Sequence, residues 1–251
     1  MYKFLYVKIA KEIKKYFVEA GFDGEEYDQI VENLRMSFPS GKENDFKITL
    51  EDFEGNKYES VEYLENAYAF NIVKVILKEG KLRNIKPVIV FPVSNMESSK
   101  VFIFIHEFIH YLTYTYIEKE KYIIYGAGID LCKIDKETYE LKDDQKYLLL
   151  NECITNIITY YICRNEYYSL YSPVILNCKY NRCTEYLEKI LQEKATVNDL
   201  LSLLLKGNKK EIINLFVNEN RKEKRLLKNL NLLFKNNIDE QLKKELTYYE
   251  L

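Results

Sequence analysis

Apolar residues recur every three or four positions over most of this chain, which is the spacing of amphipathic helices. Near the N-terminus this spacing predicts a helix from Phe4 to Phe17 that ends before Gly21. The same spacing predicts further helices at Glu25 to Met36, Val61 to Lys78, Gln145 to Arg164, Cys183 to Glu193, Val197 to Leu205, Lys209 to Asn218 and Lys222 to Leu246. From Gln145 onward the chain is therefore predicted to be helical almost to its end.

Alternating apolar and polar residues, which are typical of a half-buried strand, occur in the N-terminal half. They predict a strand from Asp45 to Glu51, followed by a turn at residues 54–57 that returns the chain as a hairpin. The β-branched run from Pro87 to Val93 predicts another strand, and its prolines favour an end or edge position. The stretch from Tyr122 to Asp144 is predicted to form loops with short strands.

A very apolar segment follows the predicted strand at residues 87–93 and extends from Ser98 to Leu112. We interpret it as a buried helix, with Ser98 or Ser99 as its N-cap. The apolar positions predicted on the side away from two histidines are Phe102, Ile105, Ile109 and Leu112. A buried strand is the alternative, because Phe, Ile and Val dominate the segment. The polar run from Thr113 to Lys121 favours the helix, which it is predicted to finish.

Length and composition restrict the class of protein. The chain has 251 residues, 47% of them apolar, and a net charge of −2. It can bury a core in one large or two small domains, and its charge argues against a general nucleic-acid surface. We find neither a signal-peptide pattern nor an apolar window of about 18 residues, so no membrane span is expected. The five cysteines are odd in number and indicate reduced thiols in a cytoplasmic protein.

The chemistry of the chain is concentrated in the segment His106-Glu107-Phe108-Ile109-His110, which contains both of its histidines. On a helix, histidines at i and i+4 project from one face, so both imidazoles can bind a single metal ion. The intervening Glu107 is then placed to act on a water molecule, as in zinc hydrolases. The alternative is a pair of structural histidines that are satisfied by hydrogen bonds.

A zinc hydrolase normally has three protein ligands, so a third donor is needed. Without another histidine, it must be an acidic residue or a cysteine. Glu152 is the best candidate, because an acidic side chain near the start of an apolar helix is uncommon unless it has a partner. Thr155, Asn156 and Thr159 share its helix face, and the alternative is a polar stripe that faces water. A cysteine zinc cluster involving Cys178 and Cys183 is also open.

With these two elements the chain resembles the gluzincin metallopeptidases, which combine His-Glu-x-x-His with a downstream Glu ligand. The run from Asn151 to Asn156 is similar to the Asn-Glu-x-x-Ser-Asp element of the thermolysin-like members. The resemblance implies that Glu152 binds zinc, and that Asn156 replaces an acidic residue that holds a zinc-bound histidine. The resemblance covers about twenty residues. The chain departs from those enzymes in two ways: the interval from His110 to Glu152 is longer, and the further histidine that they use near the substrate carbonyl is not present.

The order of the predicted elements implies an α+β fold with a small mixed β-sheet beside the motif helix and a mostly helical C-terminal half, and the resemblance implies that this fold is zincin-like. Residues 1–121 would form an N-terminal α/β lobe, and residues 122–251 a mainly helical lobe that carries the third ligand. The implied function is a zinc-dependent peptidase, with Zn²⁺ as cofactor, Glu107 as general base and a peptide or protein as substrate. The alternatives are a zinc-stabilised, catalytically degenerate binding or regulatory protein and a metal-free helical interaction module.

Overall fold

The computed structural model describes residues 2–39, 45–63, 69–91, 100–142, 145–167, 180–217 and 223–249. About half of these residues are helical, and the helices are α1 (Tyr2–Glu19), α2 (Gly24–Glu32), α3 (Lys100–Leu112), α4 (Leu148–Glu166), α5 (Asn181–Gln192), α6 (Val197–Leu205), α7 (Lys209–Phe216) and α8 (Glu223–Tyr249). The strands are β1 (Met36–Ser37), β2 (Asp45–Glu51), β3 (Lys57–Tyr63), β4 (Phe70–Ile72), β5 (Val75–Lys78), β6 (Lys81–Asn84), β7 (Val88–Val90), β8 (Tyr114–Glu118), β9 (Tyr122–Ala127), β10 (Asp130–Asp135) and β11 (Leu141–Lys142). The fold is thus of mixed α and β composition.

A three-stranded mixed sheet lies beside the motif helix α3. Its order is β1-β7-β4, with β1 parallel and β4 antiparallel to the central strand β7. All three residues of β7 are buried, and α3 packs on both β4 and β7. The small mixed sheet beside the motif helix is therefore present. Pro87 lies just before the first residue of β7, so it stands at a strand end, although β7 is the central strand of this sheet.

Two hairpins and a second sheet complete the β-structure of the described residues. The hairpin β2–β3 confirms the prediction for residues 45–57, and β5–β6 forms another hairpin. An antiparallel sheet of order β11-β10-β9-β8 occupies the chain between α3 and α4, where loops with short strands were expected. Strands thus cover most of residues 114–142.

The largest hydrophobic core joins residues of both halves of the chain. Side chains of α1, α3 and α4 meet those of α5 to α8, and all are removed from water. A division into lobes at residues 121 and 122 stays a prediction. Among the described helices none is both long enough and apolar enough to cross a bilayer.

The C-terminal helices follow the predicted pattern closely, with α6 confirmed from Val197 to Leu205. Thr196 caps this helix, because its hydroxyl accepts from the Asp199 N–H while the Asp199 carboxylate accepts from the Thr196 N–H. Asn208 caps α7 by accepting from the Glu211 N–H.

The helix predicted from Val61 to Lys78 is wrong where the structure describes it. Residues 61–63 end β3, and β4 and β5 follow from Phe70. Val75 pairs with Asn84 and Leu77 with Leu82 in the hairpin β5–β6. The turn residues of this hairpin, Glu79 and Gly80, have φ of 52° and 71°. Such a two-residue turn with positive φ fits the twist of paired strands. Cross-strand pairing has therefore overridden an apolar spacing of three to four residues.

Two other boundaries differ from the predictions. The motif helix ends at Leu112, and after Thr113 the chain turns into β8. The predicted continuation through Lys121 is therefore wrong, since its β-branched and aromatic residues pair with β9. Helix α2 ends at Glu32 rather than Met36, because Met36 pairs with Ile89 of β7.

Candidate metal centre

Helix α3 is anchored by the face that lies opposite its histidines. Phe104 and Phe108 stack on each other with ring centroids 5.4 Å apart, and Tyr6 of α1 stacks on Phe104 at 4.9 Å. Tyr27 of α2 meets Phe108 edge to face at 5.9 Å. Aromatic packing of this kind fixes the rotation of a helix, so the orientation of its other face is fixed as well.

The histidine face also carries an aromatic residue that was expected elsewhere. Phe102 lies one turn before His106 and stacks on its imidazole, with ring centroids 6.4 Å apart. The placement of Phe102 away from the histidines was wrong, because positions i and i+4 share a helix face. Phe102 also packs on Tyr160 of α4, with ring centroids 5.0 Å apart. The Phe102 ring therefore fills the space between α3 and α4 beside His106.

The structure brings His106, His110 and Glu152 together. The Nε2 atoms of the two imidazoles are 3.2 Å apart. The two carboxylate oxygens of Glu152 lie 3.2 Å from Nε2 of His106 and 3.3 Å from Nε2 of His110. Within the described residues, these three side chains are the group whose ligand atoms are close enough to share an ion.

The spacing of the two imidazole nitrogens is close to what a tetrahedral zinc ion requires. Zinc binds nitrogen and oxygen at about 2.0–2.1 Å, so two ligand atoms at tetrahedral angles lie about 3.3–3.4 Å apart. The two Nε2 atoms are 3.2 Å apart, and each of them lies 3.2–3.3 Å from a different oxygen of Glu152, so one carboxylate spans the pair. A divalent cation satisfies all three groups at once, because two neutral imidazoles and one carboxylate each offer it a lone pair.

Glu152 lies in the first turns of α4, on a helix that is buried along most of its length. Burial alone would raise the pKa of its carboxyl group, but His110 and His106 together hold that pKa well below the usual range. Thr155, Asn156 and Thr159 are at most 1% exposed, so the polar stripe on this helix does not face water. The stripe turns inward, as a helix that presents ligands to a buried site would require.

Glu107 lies on α3 between the two histidines. The pKa of its carboxyl group is raised to about 7, mainly because burial disfavours the charged form; the negative charge of Glu152 adds to this effect, and His106 opposes it. The backbone N–H of Asn71 in β4 donates a hydrogen bond to this carboxylate. Glu107 is thus held at the edge of the mixed sheet, next to the candidate metal ligands.

Asn156 is buried at 1% exposure, and its amide approaches the Thr184 hydroxyl of α5 at 3.5 Å. Nδ1 of His106 is also buried, and it has no hydrogen-bond partner in the described part of the chain. A role for Asn156 in holding an imidazole therefore stays a prediction. Cys153, Cys163 and Cys183 are buried free thiols, and Cys178 lies outside the described residues.

Asn71 is a neighbour of the site that the sequence did not reveal. Besides the backbone contact to Glu107, both polar atoms of its side-chain amide are buried and have no partner among the described residues. The error followed from the predicted helix at residues 61–78, in which Asn71 looked like an ordinary polar position. The β-branched residues Val73, Val75 and Ile76 that follow are the signal that could have indicated a strand.

Comparison with known proteins adds no relative to this description: no family model, no curated protein and no solved structure matches the chain. The resemblance to gluzincins therefore continues to rest on the two sequence elements around His106 and Glu152. The proximity of their ligand atoms is a structural observation that the two sequence elements do not contain by themselves.

Proposed function

We propose that this protein is a zinc-dependent peptidase in which His106, His110 and Glu152 hold the metal and Glu107 is the general base. One observation carries the proposal. Two imidazole nitrogens and a carboxylate from separate helices come within 3.2–3.3 Å of one another, although 42 positions separate His110 from Glu152. A pair of structural histidines would need donors and acceptors around it rather than a third metal-binding group.

The reaction follows from what each group can do. Bound zinc supplies a Lewis acid that activates a water molecule and polarises the scissile carbonyl. Glu107 accepts the proton of the attacking water and passes it to the leaving amine. A general base works best when its pKa lies near the working pH, and the pKa of Glu107 is raised to about 7.

The edge of the mixed sheet supports a peptide as the substrate. Among the described strands β4 pairs with β7 alone, so its other edge carries backbone groups that are not used in the sheet. One of these groups, the N–H of Asn71, already contacts Glu107. An extended peptide can add to such an edge through main-chain hydrogen bonds. A peptide bound along β4 would therefore run close to the general base.

The test is the substitution Glu107→Gln, assayed on a library of quenched fluorescent peptides with zinc-loaded protein. We expect the variant to bind zinc as the wild type does and to lose activity by a factor of about 10²–10⁴, because the amide cannot accept the proton. The control is Glu185→Gln on the exposed surface of α5, which should keep full activity. Retained turnover in Glu107→Gln would contradict the assignment of Glu107 as the general base.

One observation favours a second function, a zinc-stabilised binding or regulatory protein without catalysis. Ligating histidines of zinc sites usually donate their other ring N–H to a partner, which fixes the ring and raises its basicity. Nδ1 of His106 has no such partner among the described residues. Zinc binding without hydrolysis of any peptide in the library would support this second function and contradict the first.

A further inference from the structure

The segment between α3 and α4 makes hydrogen bonds to both of these helices. After α3 the chain forms the sheet β8 to β11, and the turn between β9 and β10 comes back to the helices. In this turn the Gly128 N–H donates to the Thr113 carbonyl at the end of α3, at 3.1 Å. The next N–H, of Ile129, donates to Oδ1 of Asn151 on α4, also at 3.1 Å. Two successive amides of one turn thus contact both helices.

Gly128 cannot be replaced by a larger residue without moving Asn151. Its φ of +59° lies in the left-handed region, which favours glycine. A Cβ atom at this position would lie 2.2 Å from Oδ1 of Asn151, far inside van der Waals contact. The absence of a side chain at residue 128 is therefore what allows the amide of Asn151 to lie against the turn.

These contacts are made inside the protein, where hydrogen bonds are costly to lose. Ile129 is fully buried and Asn151 is 3% exposed. The Thr113 hydroxyl, which bonds to the Ile109 carbonyl at 2.8 Å, is buried as well. A buried polar group that loses its partner costs more than an exposed one, so the turn has a strongly preferred position.

We propose that this turn is a clamp that positions Glu152 against the two imidazoles, with Gly128 and Asn151 as its positioning residues. The inference rests on the proposed function, since it concerns the same metal ligands. Thr113 lies three residues after His110, and Asn151 lies one residue before Glu152. The clamp thus connects points next to both ligand segments. Metal ligands must be placed to within about 0.2 Å, which requires support of this kind.

Substitutions at Asn151 test the clamp through the affinity for Co²⁺, measured by its visible absorption in metal-free protein. Asn151→Leu keeps the branched shape of asparagine, although it is larger, and it has no acceptor for the Ile129 N–H. We expect it to weaken Co²⁺ binding by about 10–100-fold and to change the absorption spectrum. Asn151→Asp keeps an acceptor oxygen and should restore the affinity to within a few-fold of wild type. Aspartate also keeps the volume of asparagine, so Asn151→Ala, which removes the acceptor and adds no volume, must weaken Co²⁺ binding too. An unchanged affinity in Asn151→Ala would assign the effect of Asn151→Leu to its size and overturn the clamp.

A pair of glycines provides a matched control. Gly128 and Gly207 both have positive φ, of +59° and +61°, but a Cβ at Gly207 meets nothing within 4 Å. Alanine brings the same backbone strain at both positions, and only at Gly128 does it displace Asn151. We expect Gly128→Ala to weaken Co²⁺ binding by about 10-fold or more and Gly207→Ala to change it by less than about two-fold.

The outcomes separate the clamp from the proposed function. Wild-type protein that binds no Co²⁺ would overturn both. Wild-type binding together with unchanged affinities in Asn151→Leu and Gly128→Ala would overturn the clamp alone. Where these variants do not fold, hydrogen exchange of the wild type decides. We expect the amides of Gly128 and Ile129 to exchange more slowly when Co²⁺ is added, and exchange rates that stay the same would also overturn the clamp.

Discussion

Asp52 and Glu152 are two carboxylates that the fold removes largely from water, and they are held in different ways. Asp52, 2% exposed, lies at the end of β2. Its oxygens accept hydrogen bonds from the N–H groups of Glu54 and Asn56, from the Asn56 amide and from the Tyr58 hydroxyl, at 2.7–2.9 Å. Every one of these neighbours is a fixed donor, so the protein itself satisfies the charge of Asp52.

Among the described residues, Glu152 has no such set of fixed donors. Its carboxylate contacts the Nε2 atoms of His106 and His110, and an imidazole nitrogen can be either a donor or an acceptor. The pKa of both carboxyls is lowered, to about 2 for Asp52, although burial alone would raise each of them. The direction of the pKa shift therefore does not distinguish them. The identity of the neighbours does, and it supports a structural role for Asp52 and the metal-ligand role that we propose for Glu152.

The largest expected effect concerns zinc and the stability of the fold. At free zinc about 1,000 times its Kd, we expect the wild type to gain about 4 kcal/mol in the free energy of unfolding. Glu152→Gln should bind zinc at least about 100-fold more weakly and lose most of this gain, because a neutral amide is a poor zinc ligand. Thermal unfolding with and without zinc measures both effects.

Asp52→Asn is the matched control for that comparison. It should keep the zinc-dependent gain of the wild type, since Asp52 contacts neither histidine in the described contacts. A loss of the gain in Asp52→Asn, or its survival in Glu152→Gln, would reverse the roles that we assign to the two carboxylates.

A smaller effect is expected from Asp52 in acid. Hydrogen bonds from Asn56 and Tyr58 outweigh burial and hold its pKa at about 2 in the folded protein, against about 3.9 in an unfolded chain. Asp52 thus contributes stability that is fully present above about pH 4 and is lost as the pH falls towards 2. The difference in melting temperature between wild type and Asp52→Asn should therefore shrink over this range. A constant difference from pH 5 to pH 2 would count against this account.

The smallest effect applies the same comparison to two hydroxyls of α4. The Thr159 hydroxyl donates to the Thr155 carbonyl at 2.7 Å, whereas the Thr155 hydroxyl has no partner among the described residues. Valine has nearly the same shape as threonine. Thr159→Val should therefore cost about 1 kcal/mol, and Thr155→Val should be neutral or slightly stabilising. Urea unfolding measures both, and equal costs would contradict the contacts described here.

Much of the fold could be predicted from the sequence where a single pattern was decisive. The capped helix from Val197 to Leu205 and the hairpin at residues 45–63 are local structures, because their residues carry both the periodicity and the stop signals. Residues 61–78 could not be predicted in this way. Their apolar spacing fits a helix, and the pairing of Val75 with Asn84 and of Asn71 with Ile89 decides otherwise.

The same difference between local pattern and long-range contact applies to the residues of the proposed site. The spacing of His106, Glu107 and His110 and the need for a third ligand led to Glu152, and the structure places the side chains of His106, His110 and Glu152 close together. Asn71 could not be found, because its place beside Glu107 depends on a strand that was predicted as a helix. The contact of Asn151 with the Gly128 turn was equally hidden, since the sequence does not show which turn returns to which helix.

The central claim is that His106, His110 and Glu152 form a zinc site, and the zinc content of the protein tests it most directly. Wild type and the variants His106→Ala, His110→Ala and Glu152→Gln would be dialysed against micromolar zinc and analysed by mass spectrometry for bound metal. We expect a single zinc ion per wild-type chain and far less in each variant. A wild type without zinc, or variants that keep it, would contradict the account.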